Sequence, residues 1–501
     1  MKPRLALVLL LGLASPALAA PIAQRDVLPN GIVLLVAERP AVPIVAVRVL
    51  VEAGAVYDPS DRAGLANLTG ALLTRGTAKR TGPALDSAIE FVGGSLEAGA
   101  GRDSVSASLR VLRKDLGLGL DLLAEVIQSP TFPPEEVTRK IGEIQAAIKR
   151  SEEDPGTVAA RALARLVFPN HPYGLPVEGT RESVARLTRE EVVKFHREHF
   201  RPDATVVAVV GAVTVAEARR EVLSRFGSWP RPAAPLIAVP SATPGREARE
   251  QAITRDSLTQ STIVLGRQAI RQTDPDYFPL VVASYVLGGG SASRLYTRVR
   301  EDAGLAYSVY SYVSPSKYGS AFFVSAQTRT TEVAKVQTLL KAELARMTRE
   351  PPSDAELALA KSYLVGSFPL RLDTSGKVAD FVSAVEELGL GLDYTDRYKA
   401  GVSRVSITVR ASCENSTGQN QGDYDFTLKA TDNNADQVVR GRFMTVLPGR
   451  GKVPTATISG KFNSRGVARG TIRASGTAKG PQGEDLGTCK SSTVRWTAGP
   501  A

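Results

Sequence analysis

Imidazole and thiol side chains are scarce in this chain, which has 3 histidines and 2 cysteines among 501 residues. His196 and His199 are three residues apart on a predicted helix, so they share a helix face and could ligate one metal ion together. Their place before Phe-Arg-Pro at a helix end favours packing instead, and His171 stands in a loop before a proline. The histidines are therefore more consistent with packing than with a metal site.

Arg300 and Tyr307 form a different kind of candidate pair. A guanidinium and a phenol can both donate hydrogen bonds to a carbonyl oxygen that gains negative charge during hydrolysis. From the residues alone, the favoured interpretation is structural: Arg300 is expected to be a surface charge and Tyr307 a residue of a strand core. Gly288, Gly289 and Gly290 precede a serine but lack the phosphate-loop pattern and follow a predicted helix, which indicates a flexible loop.

Two stretches with a similar order of elements must position these residues. In residues 21–229 strand patterns come first, then helix patterns, and a buried strand at 203–211 precedes a closing helix. Residues 230–250 form a linker rich in proline and alanine, after which residues 251–404 repeat the order. The sequence predicts an α+β fold built from a duplicated unit.

The last part of the chain, residues 405–501, has a different composition. Threonine, serine, glycine and asparagine alternate with single apolar residues, which predicts a small all-β domain. This region holds both cysteines, and an oxidising compartment would favour a Cys413–Cys489 disulfide over two unpaired buried thiols. Neither cysteine belongs to a pattern that includes histidine, so a thiol nucleophile has no support.

The first 20 residues have the three regions of a secretory signal peptide. A basic start with Lys2 and Arg4 precedes an apolar run and an Ala-Leu-Ala cleavage pattern. The run is too short for a stable transmembrane helix, and no later segment is longer, so we expect a periplasmic or secreted protein with no transmembrane segment. An uncleaved N-terminal anchor is the alternative.

The net charge identifies no partner. There are 62 basic and 51 acidic residues, and removal of the signal lowers the formal charge from +11 to +9. This excess is spread over a long chain with only 6% aromatic residues, which argues against nucleic-acid binding.

Residues 63–77, AGLANLTGALLTRGT, resemble the signature G-L-A-H-x-x-E-H-x-L-x-x-G-T. That signature belongs to the pitrilysin/insulinase superfamily of zinc peptidases, which includes the mitochondrial processing peptidases. Further matches occur in the family's order at residues 53–65, 171–180, 227–229, 274–277, 287–295 and 300–307. The resemblance covers about residues 25–400 and implies two homologous α/β-roll units, each an antiparallel-rich sheet packed with helices.

The zinc ligands of that signature are missing here. The chemistry needs two imidazoles four residues apart to hold the metal, and a carboxylate between them to act as general base on the metal-bound water, but this chain has Asn67, Gly70 and Ala71 at those places. Glu143 matches the third family ligand, although an isolated helical Glu is more often a solvated residue. We therefore expect no cofactor on this chain and no hydrolysis by it alone.

The resemblance gives Arg300 and Tyr307 a role. In the family an Arg and a Tyr at this spacing complete an active site whose zinc is held elsewhere, and the glycine run resembles one that handles peptide substrate. The leading hypothesis is a non-catalytic subunit of a heterodimer with a zinc-bearing insulinase-like partner, acting on peptides or unfolded protein. The alternative is a non-enzymatic binding or assembly protein that uses the peptidase-like body as a scaffold and the β domain for recognition.

One departure from the family concerns the second unit. Its helical pattern stops near residue 405, before the closing strand that ends the first unit. We therefore expect either that the β domain replaces the last elements of the second unit, or that the chain is a fusion in which this unit is incomplete.

Overall fold

The computed structural model describes residues 21–245 and 248–402 with their side chains, and residue 403 and eight strands between 406 and 498 as backbone. The expected signal peptide, residues 1–20, lies outside the described residues, and so do the side chains of Cys413 and Cys489. Export and the disulfide therefore stay predictions. In the described part of the chain, no helix is long and apolar enough to span a membrane.

The N-terminal unit is built on a six-stranded sheet. Its strands are β1 (Gln24–Val27), β2 (Val33–Glu38), β3 (Ile44–Val51), β4 (Ser95–Ala100), β5 (Val105–Leu112) and β6 (Thr205–Gly211). They lie in the order β1-β2-β6-β3-β5-β4, with β2 and β6 parallel and the other neighbours antiparallel. β3 and β6 are rich in valine and almost wholly buried, as expected for strands covered on both faces.

Helices cover one face of this sheet. They are α1 (Leu65–Leu72), α2 (Gly82–Phe91), α3 (Leu116–Gln128), α4 (Pro134–Ser151), α6 (Arg181–Val184), α7 (Arg189–His199) and α8 (Val215–Phe226). The remaining helix of this unit, α5 (Pro155–Val167), packs on the sheet of the second unit. Leu68 of α1, Leu120 of α3 and Val222 of α8 are fully buried in the same core as Val47 and Val207 of the sheet. This shared core fixes α1, the helix with the degenerate zinc motif, against β4 and β5.

The second unit has a smaller sheet. Its strands β7 (Gln260–Ala269), β8 (Ala306–Ser314) and β9 (Ser320–Arg329) lie in the order β7-β9-β8 and are antiparallel. The helices are α9 (Tyr277–Gly288), α10 (Val333–Arg349), α11 (Asp354–Ser367), α12 (Ser375–Glu387) and α13 (Tyr394–Ser403). Val299 and Val324 lie at the centre of the core between β8, β9 and α10.

The two units share a topological core. β7, β9 and β8 repeat the order and antiparallel pairing of β3, β5 and β4. Among the described residues no strand pairs with the other edge of β7, where β6 pairs with β3 in the first unit. The predicted α+β class, with sheets packed against helices, is confirmed.

Each unit contributes a helix to the sheet of the other. Val378 and Val382 of α12 pack on Ala46 and Val210 of the first sheet, and Leu163 of α5 packs against β7. Arg25 of β1 forms a salt bridge with Glu386 of α12 at 2.8 Å at the rim of the first contact. The exchange holds the two units together through apolar contacts that neither unit could bury alone.

Antiparallel strands follow the second unit, in agreement with the predicted β domain. They are β10 (Ser406–Glu414), β11 (Asn420–Lys429), β12 (Val438–Val439), β13 (Arg442–Thr445), β14 (Ala456–Phe462), β15 (Ala468–Lys479), β16 (Asp485–Lys490) and β17 (Trp496–Ala498). The backbone places residue 413 in β10 and residue 489 in β16.

Candidate functional site

Tyr307 occupies a β-bulge at the start of β8. Ala306 pairs with Thr328 and Ser308 pairs with Gln327, so Tyr307 is an extra residue without a partner on β9. A bulge turns a side chain away from the regular alternation of the strand. The Tyr307 side chain is 76% exposed as a result, although a regular strand pattern would have favoured a buried position.

Hydrogen bonds on both sides hold this bulge. The Thr328 hydroxyl donates to the carbonyl of Leu305 at 2.6 Å. The Leu305 amide donates to the carbonyl of Val299 at 3.0 Å, which ties the bulge to the turn before it. Gly304 has a φ of +61°, a left-handed conformation that glycine adopts without steric cost. The bulge and the preceding turn therefore form one connected piece of backbone.

Arg300 lies on that turn. Residues Tyr296–Glu301 form a π-helical turn, a local geometry that is frequent at functional sites. The Arg300 guanidinium carbon is 4.9 Å from the centre of the Tyr296 ring and 5.8 Å from that of Tyr307. Within the described residues Arg300 has no ion pair, whereas neighbouring Arg298 lies 3.6 Å from Asp302. An exposed guanidinium and phenol are thus side by side with donors free for a ligand.

The zinc-motif positions lie on α1, where the packing leaves no room for a side chain at residue 70. A Cβ atom on Gly70 would stand 2.9 Å from the backbone nitrogen of Ala100 and 2.9 Å from the carbonyl carbon of Gly99, both in β4. Contacts this short require the backbone of β4 to move. Asn67 and Ala71 are partly buried on the same helix. The helix therefore lacks the donor atoms of a zinc site, and it also lacks the space for a longer side chain at residue 70.

Asp58 fixes the start of α1. Its carboxylate accepts hydrogen bonds from the backbone amides of Gly64 and Ala66, each at 2.8 Å. Burial raises the pKa of Asp58 to about 7, against the opposing effect of these amides. Asp58, which lies in the matching stretch 53–65, therefore holds the N-terminus of α1 in place.

Glu143 is an exposed residue of α4. Its carboxylate is paired with Arg139 and with Lys140, the latter at 2.6 Å, and these cations hold its pKa below the usual range. The described residues contain no group of three or more His, Cys, Asp or Glu side chains arranged to hold a metal ion. Nothing in the surroundings of Glu143 points it toward a ligand.

The three histidines take part in packing and local hydrogen bonds. His196 donates from Nε2 to the carbonyl of Ile127 at 2.9 Å, and burial lowers its pKa to about 4. The His199 ring packs 4.4 Å from the ring of Phe195. His171 accepts from the Tyr173 amide at 3.2 Å and contacts the linker through Nε2. The two helical imidazoles thus engage different neighbours.

The glycine run brings the end of α9 onto β8. A Cβ atom on Gly288 would lie 2.5 Å from the backbone nitrogen of Ser311, so only glycine allows this approach. Gly289 and Gly290 lie against the ring of Tyr285. The run has a packing role next to β8, and it is separated from Tyr307 by only a few residues of that strand.

A polar cluster between the units was not predicted from the sequence. Asp103 accepts from the hydroxyl of Tyr173 and, at 3.1 Å, from the backbone amide of Lys317. The Lys317 ammonium pairs with Glu52, and the Tyr318 amide donates to the Tyr173 hydroxyl at 3.0 Å. The cluster anchors the turn between β8 and β9 to the first unit. Tyr173 lies in residues 171–180, one of the stretches that resemble the family, and this resemblance was the sequence signal for the cluster.

Most of the residues in the two units match known protein families. Residues 33–181 match the family described as Insulinase (Peptidase family M16), and residues 186–364 match the one described as Peptidase M16 inactive domain. An uncharacterized zinc protease of Streptomyces coelicolor is 30% identical over 368 residues, covering 72% of this chain and 80% of that protein. One of Mycobacterium leprae is 32% identical over 354 residues, covering 70% and 79%.

The fold of this chain is also similar to that of solved structures. A peptidase M16 inactive domain from Pseudomonas fluorescens superposes with a TM-score of 0.69 and 26% identity, covering 75% of this chain and 90% of that chain. A protease from Helicobacter pylori superposes with a TM-score of 0.70 over 76% of this chain and 93% of that one, and at 20% identity it supports the fold alone.

Proposed function

The chain belongs to the insulinase (M16) peptidase family, and from that premise we propose that it is the non-catalytic subunit of an exported metallopeptidase. In this proposal it forms a heterodimer with a zinc-bearing subunit and contributes Arg300 and Tyr307 to a shared peptide-hydrolysis site. The observation that carries the proposal is the contrast between the exposed Arg300–Tyr307 pair and the closed surface of α1.

The residues on α1 do not fit a zinc ion. Gly70 and Ala71 offer no donor atom, and the amide of Asn67 is a poor zinc ligand beside imidazole or thiolate. The contact between Gly70 and β4 also excludes a longer side chain at that position. The metal of the proposed complex accordingly belongs to the partner subunit.

Arg300 and Tyr307 are well placed to act on a peptide carbonyl. The phenol of Tyr307 and the guanidinium of Arg300 can each donate a hydrogen bond to the carbonyl oxygen, which gains negative charge as water adds to the carbon. The guanidinium also brings a positive charge that no carboxylate among the described residues neutralises. The hydrogen-bonded bulge and π-helical turn hold both donors before substrate arrives, so little reorganisation is needed.

The signal-like segment at residues 1–20 supports export to the periplasm or beyond. An exported pair of subunits would meet peptides and unfolded proteins outside the cytoplasm. Proteolysis by a reconstituted pair is the direct test. A chain tagged at its C-terminus is purified from its native source, the co-purifying subunit is identified, and peptidase activity is measured for each subunit alone and for both together. Activity in the complex alone supports the proposal, and full activity of the partner without this chain contradicts it.

A further inference from the structure

We propose that residues Tyr307, Tyr310 and Tyr312 of β8, hereafter the tyrosine strip, bind an extended acidic-aromatic peptide between the guanidiniums of Arg300 and Arg102. This inference rests on the proposed function, because it names the class of peptide that this subunit would present for hydrolysis. It concerns binding by this chain alone, so it can be tested without the partner subunit.

The tyrosine strip is exposed although it lies on a strand. Tyr310 and Tyr312 are each 46% exposed, and their ring centres are 6.0 Å apart in a stacked arrangement. The Tyr312 ring also lies 5.1 Å from that of Phe323 on β9. Aromatic rings with a free face offer a large apolar contact at a small entropic cost, so they are effective anchors for a ligand side chain.

The strip faces the first unit. Val309 is buried in the core on the other side of β8, and the Ser311 hydroxyl donates to the carbonyl of Ser284 on α9 at 2.8 Å. Alternation along the strand therefore places Tyr310 and Tyr312 on the opposite face. Phe323, which packs against Tyr312, shares its apolar cluster with Tyr57 and Phe168 of the first unit. The strip thus lies on the side where the two units meet.

Two guanidiniums stand at the ends of the strip. Arg300 lies beside the Tyr307 ring, as described above. Arg102 of the first unit lies 5.7 Å from the centre of the Tyr173 ring, and the next residue, Asp103, accepts from the Lys317 amide in the turn that follows β8. Burial raises the pKa of Tyr312, and the nearby positive charge of Arg102 works against that rise. Each end of the strip therefore has an arginine nearby.

The carboxylates close to these arginines have other partners. Asp103 accepts from Tyr173 and Lys317, and Asp302 pairs with Arg298. Within the described residues neither Arg102 nor Arg300 forms an ion pair. The surface is thus complementary to an acidic ligand and repels a cationic one.

The length of the tyrosine strip indicates how far apart the charged residues of the peptide should be. At about 3.4 Å per residue, the five steps from Tyr307 to Tyr312 span roughly 17 Å. An extended peptide would therefore carry two carboxylates about five residues apart, one for each arginine. Between them, aromatic side chains two residues apart would match the alternation of Tyr310 and Tyr312. Among the described residues β8 pairs only with β9, so its outer edge can pair with the peptide backbone.

Fluorescence anisotropy with the purified full chain tests the inference. The probes are three dye-labelled eight-residue peptides: one with acidic residues near both ends and two aromatic residues between them, one with lysines in place of the acids, and one with alanines in place of the aromatics. We expect the acidic-aromatic peptide to bind at least tenfold more tightly than either of the others, with an affinity that falls as salt is raised.

Variants locate the site. Tyr310→Ser and Tyr312→Leu should each weaken binding about tenfold, and Arg102→Ala should reduce the preference for acidic over lysine-containing peptide. Phe91→Ala and Arg220→Ala remove an exposed aromatic and an exposed arginine elsewhere and should leave binding unchanged. Circular dichroism of each variant checks that the fold is kept. If one of the two tyrosine variants fails to fold, the other still tests the site.

No binding, equal affinity for the acidic and lysine-containing peptides, or full affinity in both tyrosine variants would overturn the inference. The proposed function fails on a different result, namely proteolysis by the partner that does not depend on this chain. Peptide binding by the strip without any partner-dependent proteolysis would support the inference and contradict the proposed function.

Discussion

The guanidinium carbon of Arg300 lies 5.8 Å from the centre of the Tyr307 ring, and both residues are exposed. The two residues reach this arrangement through backbone hydrogen bonds between Leu305, Val299 and Thr328, which join a π-helical turn to a β-bulge. On α1, by contrast, the positions of the degenerate zinc motif pack against β4 without space for a larger side chain at Gly70. The Arg300–Tyr307 pair is therefore exposed, whereas the degenerate zinc motif is packed against the sheet.

The contact between Gly70 and β4 predicts that alanine is not tolerated there. Gly70→Ala should lower the free energy of unfolding by about 1–3 kcal/mol, because the new Cβ meets the backbone of Gly99 and Ala100. Gly142→Ala on α4 is the matched control, since a Cβ there meets nothing within 4 Å. The control should raise stability by about 0.5–1 kcal/mol through helix propensity. Urea denaturation of both variants checks the difference in sign.

The same contact predicts that restoring the family ligands does not restore a zinc site. A variant with Asn67→His, Gly70→Glu and Ala71→His should bind zinc no better than the unaltered chain. A glutamate at residue 70, the general-base position of the motif, would push α1 away from β4 and so displace the helix that carries residues 67 and 71. Zinc content after dialysis, measured by mass spectrometry, checks this. Stoichiometric zinc in the folded variant would show that only the ligand atoms are missing.

Buried His196 predicts a pH dependence of stability. Its pKa is about 4 in the folded chain and about 6.5 when unfolded, so between these values the unfolded state binds more protons. Stability should therefore fall by about 3 kcal/mol as the pH drops from 6.5 to 4. His196→Gln, which keeps a donor for the Ile127 carbonyl, should remove this part of the slope in denaturation measured across that range. An unchanged slope would contradict the assignment.

The cluster between the units predicts a link between Tyr173 and the β8–β9 turn. Tyr173→Phe removes the donor to Asp103 and the acceptor for the Tyr318 amide, and should cost about 1–3 kcal/mol. It should also speed amide hydrogen exchange at residues 315–319. Tyr363→Phe on α11 has an exposed side chain and serves as the control. Equal exchange in the two variants would mean that the cluster does not hold the turn.

The sequence predicted elements more completely than it predicted their contacts. The strand at 203–211 was expected from its hydrophobic pattern, and the structure has β6 (Thr205–Gly211) there. That α12 covers the first sheet could not be predicted, because the apolar face of a helix does not specify the surface that it meets.

For the candidate site, the motif order located Arg300 and Tyr307 but not their geometry. The bulge at Tyr307 depends on the register between β8 and β9, which is fixed by the whole sheet and not by local residues. Likewise, the absence of ligand atoms at Gly70 was evident from the sequence, whereas the close approach of β4 requires the three-dimensional packing of α1.

The central claim is that Arg300 and Tyr307 act in trans on a peptide carbonyl, and proteolysis by the reconstituted pair tests it most directly. We expect Arg300→Ala and Tyr307→Phe to lower kcat by about 100-fold to 1,000-fold each, with unchanged heterodimer formation and unchanged thermal stability. Arg298→Ala, which removes a neighbouring arginine paired with Asp302, is the control. Unaltered kcat in both Arg300 and Tyr307 variants would contradict the account.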